Sequence, residues 1–169
     1  GVPLARTGNE FSIAAPVNIY ACRDGSIYGG VLLDAHWKAL CKHIDRADLA
    51  DLDGSARIGR RDELNQVLAD YCRDRTAAEV VDEFIAIGLT VTRVNTYEES
   101  GQNEHVQARD MLQTTVLSDG KTVPLTGPAA KFSRTPTRVR NAAPSLGQNN
   151  ETIYAGLGLD SEALAQLKR

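Results

Sequence analysis

The sequence predicts an α+β fold, a small domain of two hairpins and about three helices followed by an extended C-terminal tail. Three observations carry this expectation. Two strand-like segments fold about turn signals, Asp24-Gly25 and Ser118-Asp119-Gly120. Between them, three stretches carry apolar residues at helical steps of three and four. After Thr126 the periodicity gives way to Pro128, Pro136 and Pro144, residues that favour an extended path and cannot donate to a ladder. The expected organisation is a lead-in loop over 1–15, an α+β unit over 16–125 and a tail over 126–169.

Val17 to Cys22 reads as the first strand, with Ile19 and Ala21 on one face and Asn18 and Tyr20 on the other. Asp24-Gly25 supplies the turn, because Gly tolerates positive φ and Asp can bond to its own turn. Ser26 to Leu33 is the expected return strand, in which Gly29-Gly30 marks a bulge or a close backbone approach. Asp34 is placed to cap the next helix, whose stripe is Trp37, Leu40, Cys41 and Ile44. Residues 45–59 are polar and read as a connection.

A stronger helix spans about Arg60 to Arg73, with Leu64, Val67, Leu68, Tyr71 and Cys72 on its apolar side. Thr76-Ala77-Ala78-Glu79 has the spacing of a capping box. It opens a third helix through Val80, Val81, Phe84 and Ile85, ended by Gly88. Leu89 to Val94 is a short strand, and Thr96 to Asp110 reads as one or two short helices. Met111 to Leu117 and Lys121 to Leu125 form the second hairpin. Two short helices close the chain, about Asn150 to Gly156 and Ser161 to Lys168. The expected core is Trp37, Leu40, Leu64, Leu68, Tyr71, Val81 and Phe84.

Composition narrows the function classes. The 169 residues are 42% hydrophobic, enough for a real core, and 24% charged, as in ordinary globular domains. A net charge of −3 without interleaved aromatic residues argues against a nucleic-acid partner. No apolar run is long enough for a membrane span, and the first residues lack the pattern of a signal peptide. The chain opens on Gly1 rather than Met, which reads as a processed chain, a fragment or an engineered piece. Cys22, Cys41 and Cys72 are odd in number and at no motif spacing, which reads as reduced, mostly buried thiols in a cytoplasmic protein. His36 and His43 lie seven apart, too far for one ion, so no metal site is expected.

Gly8-Asn9, followed by Ala15-Pro16-Val17-Asn18-Ile19-Tyr20, Asp24-Gly25 and Trp37, resembles the start of the small domain of a family III CoA-transferase, the CaiB–BaiF family. Lys131-Phe132-Ser133-Arg134-Thr135-Pro136 resembles that family's segment before its terminal helices. Ala143-Pro144-Ser145-Leu146-Gly147 and Leu157-Gly158-Leu159 match near the end. The resemblance covers nearly the whole chain and excludes the half that carries the family's nucleophile.

The resemblance implies covalent catalysis, in which an aspartate attacks an acyl-CoA thioester and the CoA ends on a different acid. That aspartate lies upstream of the matched segments, so no catalytic residue is expected in this chain. Asp24 and Asp119 are assigned to turns and Asp34 to a cap. The tail is expected to pack on a Rossmann-like large domain. Coenzyme A thioester is the implied substrate, with no permanently bound cofactor. The implied partners are an acyl-CoA, a carboxylic acid, the complementary N-terminal half or subunit, and a second copy in an interlocked dimer.

Two groups of residues are candidates for substrate contact. The first is the loop Gly8, Asn9, Glu10 and Ser12, expected near the thioester. Some members have a glycine run here that covers the reacting carbonyl. The version in this chain, Gly8 to Ala15, lacks it and tends to go with transferases rather than racemases. Asn9 could donate to a carbonyl oxygen, and Glu10 could meet a polar acid. The second group is Lys131, Arg134 and Arg138, with Arg140, the only dense basic stretch and a candidate for CoA phosphates or a carboxylate. Two alternatives stay open: part of an acyl-CoA racemase of the same superfamily, and a non-catalytic binding or assembly module.

Overall fold

A computed structural model describes residues 6–167. Its internal contacts divide the chain into two compact units, one ending at Asn95 and the other beginning at Thr96. This division falls inside the 16–125 span that the sequence reading treats as one unit.

The first unit is built on a three-stranded antiparallel sheet, β1 (Val17–Cys22), β2 (Gly25–Gly30) and β3 (Thr90–Arg93), in the order β1-β2-β3. β1 and β2 pair without interruption from Val17↔Gly30 to Cys22↔Gly25, so the glycine pair makes no bulge. It is a close approach instead: a Cβ on Gly30 would lie 2.6 Å from the Cα of Val17. The turn is Arg23-Asp24, one residue earlier than expected. Asp24 leaves the turn's own backbone alone, and its Oδ1 accepts the Ala77 N–H at 2.7 Å. The return strand also stops at Gly30, short of the expected Leu33.

One face of this sheet is covered by helices. α1 (Asp34–His43) buries Trp37, Leu40 and Cys41. Asp34 is its first helical residue rather than its cap; the N-cap is Leu33, which makes no side-chain cap bond. The stretch read as a connection contains a short 3₁₀ turn (Ala47–Leu49) and α2 (Gly54–Gly59), capped by Asp53, which accepts from the Ala56 N–H. α3 (Arg61–Arg73) buries Leu64, Leu68 and Cys72 at steps of four.

α4 (Ala77–Ala86) has both halves of the capping box, Thr76 to Glu79 and back. Gly88 ends this helix at φ +85, where only glycine is at ease, and the Leu89 N–H reaches back to Phe84 O. The core collects Tyr20 and Ile27 from the sheet with Trp37, Leu40, Leu64, Leu68, Val80 and Phe84 from the helices. Tyr71 and Val81, expected inside, pack against this core half-buried.

The second unit holds α5 (Tyr97–Gln102), α6 (Glu104–Ala108), a hairpin of β4 (Leu112–Val116) and β5 (Thr122–Thr126), α7 (Asn150–Gly156) and α8 (Ser161–Leu167). Asp119 Oδ1 accepts the Lys121 N–H in the hairpin turn. Between β5 and α7 the described chain has no regular element. Phe132, Leu146, Ile153 and Leu157 are exposed there and in α7 beyond, while Leu164 of α8 is buried. No helix among the described residues is long and apolar enough to cross a membrane.

Candidate functional site

The loop from Gly8 to Ala15 precedes β1 and belongs to the first unit. It begins as a closed turn: the Glu10 N–H bonds to Thr7 O at 3.1 Å, and the Thr7 hydroxyl donates to Glu10 O at 3.0 Å. Gly8 sits at φ +62, the left-handed conformation that favours glycine. Asn9 is exposed, and its side-chain amide meets no hydrogen-bond partner among the described residues. The tip is therefore a fixed backbone carrying one open donor–acceptor group.

α3 holds the rest of the loop. Arg61 Nη2 donates to Ser12 O at 3.1 Å, and Arg61 Nη1 lies 3.5 Å from Glu10 Oε2. Asn65 Nδ2 donates to Glu10 Oε1 at 3.0 Å, while the Tyr20 hydroxyl donates to Asn65 Oδ1 at 2.8 Å. Burial drives the Tyr20 phenol far above its ordinary range, so it serves as a neutral donor. The Glu10 carboxylate, offered by the sequence to a polar substrate, is thus turned back onto α3 and already holds an amide and a guanidinium.

Arg57 of α2 fixes the loop's exit. The residue is 2% exposed. Its Nε donates to Ala15 O at 3.1 Å, and its Nη1 donates to Asp34 Oδ1 at 2.7 Å and to Leu52 O at 2.9 Å. Its guanidinium carbon stands 5.8 Å from the Trp37 ring centroid. A buried guanidinium with three oxygen partners is well satisfied. Sequence reading placed Arg57 in a polar connection and missed it; a lone arginine carries no periodic signal that marks it as buried.

Beside the loop, on the sheet face away from the helices, lies an apolar cleft of about 240 Å³. Phe11 of the loop, Val17, Tyr28 and Leu32 form its walls, with Thr90 and Thr92 of β3 along one edge. Gly29 and Gly30 form part of its floor. No Asp, Glu, Lys, Arg or His lines it.

A second polar cluster joins α1, α3 and α4. The Tyr71 hydroxyl donates to Glu83 Oε2 at 2.7 Å, with His43 Nε2 3.0 Å from the same hydroxyl. Arg75 stacks 3.7 Å over the Tyr71 ring. Burial, then the bond to Glu83, pushes the Tyr71 phenol up to about 12. Burial likewise raises the Cys22 thiol and lifts Cys41 to about 11 and Cys72 to about 12, which keeps all three protonated and weakly nucleophilic.

The basic stretch lies in the second unit. Lys131 Nζ donates to Asp110 O at 3.1 Å. Arg134, Arg138 and Arg140 are exposed and meet no carboxylate among the described residues. Arg138 and Arg140 line an open hollow with Phe132, Pro136 and Thr137. The backbone there is pinned to the hairpin, because the Val139 N–H donates to Gln113 Oε1 at 2.6 Å. Two free guanidinium groups on a held backbone can receive an anion.

Comparison with known proteins supplies the wider frame. The family profile of CoA-transferase family III matches residues 1–150. An acyl-CoA transferase of Fusarium pseudograminearum is 27% identical over 175 residues, covering 99% of this chain and 38% of that protein. The succinyl-CoA–L-malate CoA-transferase beta subunit of Chloroflexus aurantiacus is 26% identical, covering 95% of this chain and 41% of its own length. Among solved structures, a CaiB/BaiF family protein from Brucella suis superposes with a TM-score of 0.63 at 22% identity, over 90% of this chain and 40% of that one. The chain therefore spans about two-fifths of the length of the relatives it matches.

Proposed function

Because this chain belongs to CoA-transferase family III, we propose that it is part of an enzyme that moves CoA between an acyl-CoA thioester and a carboxylic acid, with the nucleophilic aspartate outside the chain. The observation that carries the reading is the family match over residues 1–150, alongside relatives in which this chain accounts for about two-fifths of the length. Four of the chain's carboxylates in the first unit fit it. Asp24 holds the start of α4, Asp34 holds Arg57, Asp53 caps α2 and Glu10 is bound to α3. A carboxylate committed to such bonds is a poor candidate for attack on a thioester.

In this reading the loop Gly8 to Ser12 faces the thioester. The Asn9 amide is the free group at its tip, able to donate to the carbonyl oxygen as negative charge develops there. Arg57, Arg61 and Asn65 position the loop without touching substrate. Arg134 and Arg138, with Lys131, meet the phosphates of CoA or the acceptor's carboxylate, since guanidinium pairs with both. The complementary portion of the enzyme supplies the nucleophile and receives the tail's exposed Phe132, Leu146 and Leu157. The working enzyme is a dimer in the cytoplasm.

The test mixes the purified chain with acyl-CoAs and free acids and follows thioester exchange, alone and with the remaining portion of the parent enzyme. Exchange only in the combined sample is expected. Turnover by the chain alone would overturn the placement of the nucleophile.

A further inference from the structure

We infer that the apolar cleft walled by Phe11, Val17, Tyr28 and Leu32 receives the acyl group of the CoA thioester, and that this group is an uncharged aliphatic or aromatic chain. The inference rests on the CoA-transferase reading for the thioester end of the ligand; the cleft itself rests on geometry alone.

Phe11 is both a member of the loop and a wall of the cleft, so the two are contiguous. A thioester carbonyl held at the loop tip would have its acyl chain running along Phe11 onto the floor at Gly29 and Gly30. The volume of about 240 Å³ suits such a group; an apolar cavity of about 150 Å³ already accepts benzene. Phe11, at 42% exposed, Tyr28, also 42%, and Leu32, at 58%, leave apolar surface that an acyl chain would cover.

Charge decides against a dicarboxylic acyl group. Its distal carboxylate would need a cation, and no Lys, Arg or His lines the cleft, while three nearby guanidinium groups are engaged elsewhere. Arg61 meets Glu10, Arg57 meets Asp34, and Arg93 lies 3.9 Å from Asp24. A carboxylate in the cleft would be desolvated against Phe11, Val17 and Leu32 with no cation beside it, which is costly.

The experiment titrates this chain with octanoyl-CoA, succinyl-CoA, CoA and sodium octanoate by calorimetry. Leu32→Trp and Thr90→Phe serve as filling variants, because both positions are exposed at the rim and neither enters the core. Near-ultraviolet circular dichroism checks that the variants keep their fold. Octanoyl-CoA should bind about tenfold or more tightly than succinyl-CoA, from burial of a few methylenes, and either filling variant should abolish that margin. Equal affinities, or a margin that survives both variants, overturn the inference and leave CoA binding standing. Octanoate binding as well as octanoyl-CoA, with filling variants blocking both, supports the cleft while removing the support for CoA. Binding of none of the four compounds overturns the inference.

Discussion

Replacing Arg57 by Met keeps most of the side chain's volume and deletes its hydrogen bonds. Two of its acceptors are backbone carbonyls, Ala15 O and Leu52 O, gathered around a guanidinium that is 2% exposed. The third is the carboxylate of Asp34, whose side chain is 61% exposed. These partners respond differently. A buried carbonyl stripped of its donor loses about 1–3 kcal/mol, whereas an exposed carboxylate recovers its bonds from water. Two carbonyls set a loss of about 2–6 kcal/mol for Arg57→Met, towards the lower end because the Leu52 O contact is only partly buried. Asp34→Ala takes the counter-charge from a buried guanidinium that keeps both carbonyls, and should cost about 1–2 kcal/mol, less than Arg57→Met. An account in which the ion pair itself holds the loop makes the two substitutions equivalent. Urea unfolding followed by the fluorescence of Trp37, the sole tryptophan, measures both at constant slope. Equal losses, or a loss below about 1 kcal/mol for Arg57→Met, would refute the claim that Arg57 anchors the loop through backbone carbonyls.

Leu68→Ala empties a position 1% exposed in the core and should cost about 2–5 kcal/mol in the same assay; a loss below about half a kcal/mol would mean that the buried face of α3 is wrongly assigned. Gly30→Ala pushes a Cβ to 2.6 Å from the Val17 Cα, backbone that cannot yield, and should destabilise by about 1–3 kcal/mol or unfold the chain; a neutral result contradicts the β1–β2 register. The bonds from Thr76 hold the Glu79 carboxyl below its ordinary range. A depressed carboxylate stabilises the fold above its unfolded pKa and loses that contribution as pH falls through its folded one. The melting-temperature gap between the parent and Glu79→Ala should therefore narrow on going from pH 7 to pH 3, and a constant gap argues against the capping box.

Elements with a local signal were legible. The stripe of α3, the Thr76–Glu79 box, the stop at Gly88 and both hairpins follow from periodicity and turn chemistry within a few residues. What escaped depends on distant partners. Asp24 looked like a turn residue bonding to itself, yet its carboxylate caps a helix that begins 53 positions later. Asp34 had the right type for a cap, but Arg57 draws its carboxylate away. The loop's own residues could be named from the resemblance, whereas Arg57, Arg61 and Asn65 act through contacts 42 to 55 positions away. Nothing in a local window reports such pairings. The apolar cleft was hidden for a related reason: Phe11 and Tyr28 read as ordinary loop and strand residues until the sheet sets them side by side.

The way the loop is held bears on what this part of an enzyme can contribute. A transfer through an acyl-enzyme depends on presenting the thioester carbonyl at a fixed distance and angle, where a small displacement costs rate steeply. A glycine-rich loop meets that need by closing over substrate and must be ordered each time. Here the ordering is built in beforehand. Arg61 holds Ser12, Asn65 and Arg61 hold Glu10, and Arg57 holds Ala15, so three points on α2 and α3 fix a loop of eight residues. The Asn9 amide at the tip and the Ser12 hydroxyl make no such ties among the described residues. Such a loop loses little further entropy when substrate arrives. On the proposed reading, selectivity would come from the surface beside the loop rather than from closure, and the uncharged cleft beside Phe11 is that surface.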